Sequence, residues 1–400
     1  MKIATTHAVG ATRHSQKNNG GHALCSAVCF VHRKAASVRA RRTSGLVSMK
    51  VPVIVAGVAL ACGSARAASF DCTKAARPVE KVICGNGKLN AADDDMGRVY
   101  RQTLGRLPTS NFGLLRADQV QWLSWAQEVC RANEAVPATT VANCMLPLYA
   151  DRSKRLRVAV AQRGSVLFLT RTQYLAQPEE KGSDSAPPGD FPGYGTLQAS
   201  WPMALSSDAA WIAWNKAVET RVLLTAGAGE NDDSRQTPLQ AAVWSGKLAE
   251  AQDTQVDARV RSVEHGRTTS TVSSETMGHP AAHPSESSET FTWLLTERRA
   301  LQPGDVFATA SAWQTAVAAA CWKALSTGEQ KQWLYPEVNG PTAKPLLQVI
   351  TDVHNWTLEA DALHISYPEY SVAPRVSPVD DTVIPWVKLK SVLATGFTQP

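Results

Sequence analysis

The first 70 residues contain no aspartate or glutamate, although ten lysines and arginines fall in the same stretch, from Lys2 to Arg66. Charge this one-sided belongs to a targeting segment and not to a folded surface. Nor does the stretch hold a permanent membrane helix, because its apolar run from Val51 to Ala61 has eleven residues against the roughly 20 that a bilayer requires. The chain has no Cys-x-x-Cys pair, no Gly-x-Ser-x-Gly elbow, no His-Glu-x-x-His helix and no internal repeat. These absences set aside thiol exchange, an acyl-transferring serine, a metalloprotease and a solenoid.

What the segment does hold is ordered. Met49-Lys50 precedes the apolar run, and the small-x-small pattern Ala65-Arg66-Ala67 follows it. Residues 49–67 are therefore expected to be a cleavable secretory signal, and residues 1–48, polar and aperiodic, a disordered or wrongly assigned extension. An extended signal around Arg41-Arg42 is the alternative. Cys62, in Ala59-Leu60-Ala61-Cys62, resembles a lipid-attachment site but lacks the usual leucine three residues earlier, so a lipoprotein is the weaker reading. Processing takes ten of the 41 basic residues and none of the 35 acidic ones, turning a net charge of +6 into −4. That balance excludes a nucleic-acid partner, which needs an excess of lysine and arginine to release counterions.

After the signal the pattern turns helical. Leu89, Ala92, Met96, Val99 and Thr103 share one face, as do Leu115, Gln119, Trp122 and Ala126, and then Met145, Tyr149, Arg152 and Leu156. Three amphipathic helices predict a small all-α domain over residues 69–165. Cys72, Cys84, Cys130 and Cys144 sit at the helix edges, an even count that reads as two structural disulfides in an exported domain. Of the three pairings, the shorter loop closures favour Cys72 with Cys84 and Cys130 with Cys144, without deciding the matter. Residues 177–195, dense in proline, glycine and charge, form an expected linker. Residues 196–400 alternate helical stretches at Ser207–Leu224 and Ala310–Leu325 with short apolar runs, an α+β domain with an antiparallel sheet and packed helices. Ser262–Glu289, nearly all polar, is expected to be a long surface loop or a pair of weak edge strands.

The first domain resembles the LprI-like lysozyme inhibitors. The similarity runs through Phe70-Asp71-Cys72, Val79-Glu80-Lys81-Val82-Ile83-Cys84, Leu89-x-x-Ala92-Asp93-x-x-Met96-x-x-x-Tyr100, Gln119-x-x-Trp122-Leu123 and Cys144-x-x-x-Leu148-x-x-x-Arg152-x-x-x-Leu156. Ala92 departs from the family's leucine, and Ala126-Gln127 from its Arg-Asp. The second half resembles envelope domains of the RsiV and PdaC type, through Leu363–Pro374 followed by Val383-Ile384-Pro385-Trp386, and through Gly278-His279-Pro280-Ala281-Ala282-His283. Both resemblances imply a protein that recognises a lysozyme-type muramidase or peptidoglycan. The candidate binding residues in these motifs are Asp93, Tyr100 and Trp122 in the first domain and His279, His283, Tyr367 and Tyr370 in the second.

Other chemistry is weaker. His279 and His283 have a metal-ligand spacing for a helix, but Pro280 and Pro284 forbid that helix. A surface turn is the simpler reading, and neither metal nor cofactor is expected. Asp93-Asp94-Asp95 reads either as a patch for a basic partner or, more simply, as a solvated helix start. Cys321, in an alanine-rich helical stretch, reads as a buried thiol. Aspartates and glutamates are scattered, so a carboxylate pair for glycan cleavage stays open at this level. The expectation is an exported, non-enzymatic binding protein of the periplasm or cell surface that inhibits a muramidase. Its rivals are a peptidoglycan-binding module, peripheral to the envelope, and an accessory of a cell-wall hydrolase.

Overall fold

The computed structural model describes residues 69–178, 194–227, 252–278, 283–377 and 379–400. The expected extension and signal, most of the linker, and His279 lie outside the described residues.

Four helices open the fold: α1 (Pro78–Gly85), α2 (Gly87–Leu104), α3 (Phe112–Val129) and α4 (Ala138–Val158). Asn86 starts α2, its side chain accepting from the backbone N–H of Lys88 and Leu89 at 3.1 and 3.0 Å. The Asp93-Asp94-Asp95 run therefore lies in the second turn, not at the helix start. The predicted apolar faces meet as a core of Leu89, Met96, Leu115, Trp122, Met145 and Tyr149. Cys72 bonds Cys84 and Cys130 bonds Cys144, each closing a short irregular segment onto a helix end. In a core this small, each bond contributes about 2 to 4 kcal/mol.

The chain then enters a seven-stranded sheet in sequential order: β1 (Val160–Arg163), β2 (Val166–Pro178), β3 (Tyr194–Ala204), β4 (Gln252–Glu264), β5 (Arg267–Gly278), β6 (Ser285–Leu294) and β7 (Arg299–Ala300). Every pairing is antiparallel except β3 with β4, which is parallel. The sheet is antiparallel, as expected, in all but this one pairing, where helix α5 (Ala209–Gly227) lies between β3 and β4 in the chain, in the crossover that a parallel pair needs. Asp208 caps α5, its carboxylate accepting from the N–H of Ala210 at 2.7 Å.

The described residues of the polar stretch 262–289 form strands and not a loop. They supply β5, an interior strand joined to β4 through a two-residue turn at His265 (φ 48°) and Gly266 (φ 74°), and the first half of β6, which pairs only with β5 and so lies at an edge, as expected. Left-handed conformation at both central residues matches the twist of the flanking strands. Hydroxyl side chains replace apolar ones here, so the usual alternation is missing from the sequence, while threonine still favours the pleated backbone.

One face of the sheet packs against α5 through Trp214, Val218 and Val222, which meet Leu197, Val256 and Phe291. A second core gathers a three-stranded sheet, β8 (Trp356–Leu358), β9 (Ala362–Ile365) and β10 (Thr382–Pro385), with helices Trp313–Leu325 and Lys344–Thr351. Phe307 stacks on Trp313 at 4.7 Å, and both meet the edge of Trp356. Cys321 is buried in this core, its thiol pushed up to about 11 by burial.

Thr268, in β5, is fully buried and its hydroxyl finds no protein partner. Replacing it by the isosteric valine removes an unpaired polar group and keeps the branched side chain. Thr268→Val should raise unfolding stability by about 1 kcal/mol, read as a higher urea midpoint at unchanged slope. A lower midpoint would mean that the hydroxyl is satisfied in solution.

Candidate functional site

The bundle meets the sheet at an edge. β1 pairs with β2 only from Val166 to Leu169, so the rest of the outer edge of β2 needs partners for its backbone groups. Helix α3 supplies them. The Asp118 carboxylate accepts from the N–H of Thr172 at 3.4 Å and from Arg171 Nε at 3.1 Å, and the Trp125 indole N–H donates to the Leu175 carbonyl at 3.1 Å.

Behind this edge, Arg152 of α4 is buried. Its Nε donates to Gln119 Oε1 at 2.9 Å and its Nη1 to the Tyr174 hydroxyl at 3.0 Å, with the guanidinium 5.9 Å from the Trp122 ring centre. Burial pushes the Asp118 carboxyl above the usual carboxylate range, opposed by the nearby Arg171 and Arg152 cations. The bundle core is completed by Leu169 and Tyr174 of β2.

On the sheet face opposite α5, the register aligns polar side chains in rows. Thr172, Ser200, Asp257, Ser273 and Ser288 stand in one row across β2 to β6, and Tyr174, Gln198, Gln255, Glu275 and Glu286 in the next. α4 borders these rows on one side, where Arg155 reaches Ser200 Oγ at 3.4 Å and Asp257 at 3.1 Å. The C-terminal core borders them on the other, where the Thr290 and Thr357 hydroxyls meet at 3.0 Å. Between lies a trough of about 670 Å³, floored by Asp257, Ser273 and Ser288 and walled by His354, Tyr367 and Glu369. Gln255 and Glu275 also line a neighbouring hollow of about 360 Å³ that ends at Tyr194 and Trp125.

The candidate residues divide between two places. Asp93 and Trp122 are buried in the bundle. Asp93 accepts from the Ser69 N–H at 2.8 Å, burial pushing its carboxyl upward, and Trp122 packs edge-on against Tyr149. Neither is open to a partner, whereas Tyr100 keeps part of its ring accessible. In the second half, the Tyr367 hydroxyl bonds Thr382 Oγ1 at 2.8 Å, and the ring borders the trough. Tyr370 is 55% exposed on a left-handed backbone (φ 60°). His283 lies 3.3 Å from Arg375, which also pairs with Glu369 at 3.3 Å and Glu286 at 3.6 Å. The floor residues Gln255, Asp257, Ser273 and Ser288 were not among the candidates, since only the register reveals that they share a face. Among the described residues no group of three histidines, cysteines or carboxylates is placed to hold a metal ion.

Comparison with known proteins identifies one region. Residues 72–156 match the family model described as Lysozyme inhibitor LprI. No curated protein matches the chain. Two solved structures align over most of their own length: a DUF3298 family member from Bacteroides fragilis NCTC 9343, with 14% identity, a TM-score of 0.40 and coverage of 59% of this chain and 96% of that one, and a DUF3298 family protein from Pseudomonas aeruginosa PAO1, with 16% identity, a TM-score of 0.40 and coverage of 58% and 96%.

The seam generates a pH-dependent prediction. Asp118 has a raised folded pKa, so its ionisation opposes folding and stability is lost as pH rises through that value. Arg171→Met removes the directly paired cation and raises the Asp118 pKa further. The variant should lose about 2 to 3 kcal/mol at pH 7. That loss should shrink as the pH falls toward about 3, below the unfolded pKa of about 3.9, where the carboxyl is largely protonated in both states. Urea unfolding at both pH values measures it, and a loss independent of pH would remove Asp118 from the account.

Proposed function

We propose that this chain is an exported envelope protein that binds and inhibits a lysozyme-type muramidase through its disulfide-bonded bundle. The carrying observation is the match of residues 72–156 to the lysozyme inhibitor model, a stretch that coincides with the four helices and both disulfides. Structural disulfides form in oxidising compartments, which supports a place outside the cytoplasm, where such a target is met. The expected signal at 49–67 belongs to the same reading.

The physics suits inhibition by binding. Two crosslinks, a buried arginine network and the sheet edge fix the helices before any partner arrives, and pre-organisation converts contact into affinity by lowering the ordering cost. Tyr100 and the exposed Phe112 and Val120 of α3 are the accessible anchors from which such a surface is built. Asp93 and Trp122 support it from beneath.

The test is muramidase activity on a cell-wall suspension, followed by turbidity, with oxidised protein titrated against a panel of muramidases. Saturable inhibition of at least one enzyme is expected, weakened at least tenfold in a Cys130→Ser/Cys144→Ser variant. Failure of folded, oxidised protein to slow any muramidase at micromolar concentration would refute the proposal.

A further inference from the structure

We infer that the trough on the polar face of the sheet is a separate binding site for an uncharged oligosaccharide chain of N-acetylated amino sugars. The site stands on the geometry below; only the choice of sugar rests on the envelope function proposed above.

Pro368 apart, the residues that line the trough carry hydroxyls, carboxylates or the polar groups of Gln255, Arg261 and His354, so an occupant has to exchange water for hydrogen bonds at most points. A folded protein surface does this poorly, since the centres of protein interfaces are depleted in serine, aspartate and glutamate.

Charge narrows the class further. Four of the six carboxylates that line the trough share three arginines: Asp257 pairs with Arg155, Glu289 with Arg221, and Glu286 and Glu369 with Arg375, whereas Glu275 and Asp381 have no ion-pair partner. Glu275 alone among the trough carboxylates has neither an ion-pair nor a hydrogen-bond partner. A site built for a cationic segment would leave its carboxylates unpaired. Here the arginines offset most of the negative field and leave carboxylate lone pairs free to accept from sugar hydroxyls and amide N–H groups, while Arg261 and the serines donate to carbonyls.

Shape agrees. Two strand spacings separate β4 from β6, about 10 Å, enough for one pyranose ring to lie flat. The trough and its neighbouring hollow adjoin at Gln255 and Glu275, which line both, with Tyr367 bordering one and Tyr194 the other. Aromatic rings at intervals along a polar channel offer apolar faces to the C–H faces of successive sugars. The opposite face of the sheet is packed on α5, so the floor is rigid before the ligand arrives.

The experiment is titration calorimetry of the processed, oxidised chain with the hexamer of β-1,4-linked N-acetylglucosamine, with maltohexaose and with hexalysine. Hexamer binding should be insensitive to salt and at least tenfold tighter than that of maltohexaose. It should weaken at least tenfold in Glu275→Ala and in Ser288→Tyr. Both residues stand exposed, and unchanged thermal midpoints verify the fold. Both variants should keep full muramidase inhibition, and hexamer binding by a chain that inhibits no muramidase would leave the trough standing while the function proposed above fell. The inference is overturned by absence of hexamer binding at millimolar concentration, by binding that the two variants leave intact, or by salt-sensitive hexalysine binding that the variants abolish.

Discussion

The outer edge of β2 is the constraint on which the rest of the structure depends. An unpaired strand edge must be covered, blunted or left as a template for aggregation, and β1 covers only four residues of it. Helix α3 completes the cover with one carboxylate and one indole, aimed at an N–H and a carbonyl three residues apart. Because the acceptor is buried and charged, it brings Arg171 with it, and Arg152 behind, which in turn fixes Gln119 and Tyr174. A backbone requirement thus determines which polar groups the bundle core contains. It also explains why that core closes with side chains from the sheet, Val160, Leu169 and Tyr174.

The two faces of the sheet follow opposite logic. Against α5, apolar rows from β3 to β6 give an ordinary packed layer. On the other face, flanking structures stand at the two sides and leave the middle to water, so serine, threonine and carboxylate residues carry no burial penalty there. Where the C-terminal core does close over this face, at Thr290 and Thr357, hydroxyl meets hydroxyl, which keeps the contact satisfied without apolar side chains.

This arrangement decides what was legible in the sequence. Helices α2 to α4 were readable because one face is buried and the other wet, and the cysteines because they stand at helix ends. β5 and β6 were not: with Thr268 and Ser270 inward and Thr271 and Ser273 outward, the stretch has no apolar period of two, and composition suggests a loop. The parallel pairing of β3 and β4 was hidden because periodicity reports faces, not directions. Among the candidate site residues, Asp93 and Trp122 carry motif positions whose role proves to be internal, whereas Tyr367 and His283 lie at or beside the trough wall. The floor was invisible for a simple reason: it lies on a row, Thr172, Ser200, Asp257, Ser273 and Ser288, that spans more than 100 residues of sequence and forms only through register.

Arg155 joins the two halves of the functional argument. It belongs to α4, inside the region that matches the inhibitor family, yet its guanidinium ends on Asp257 of the trough floor and on the buried Ser200 beside it, while its Nε pairs with Asp151 one turn back at 2.7 Å. The helix that closes the bundle thus also holds one residue of the trough floor, Asp257, through an arginine whose charge is shared with Asp151.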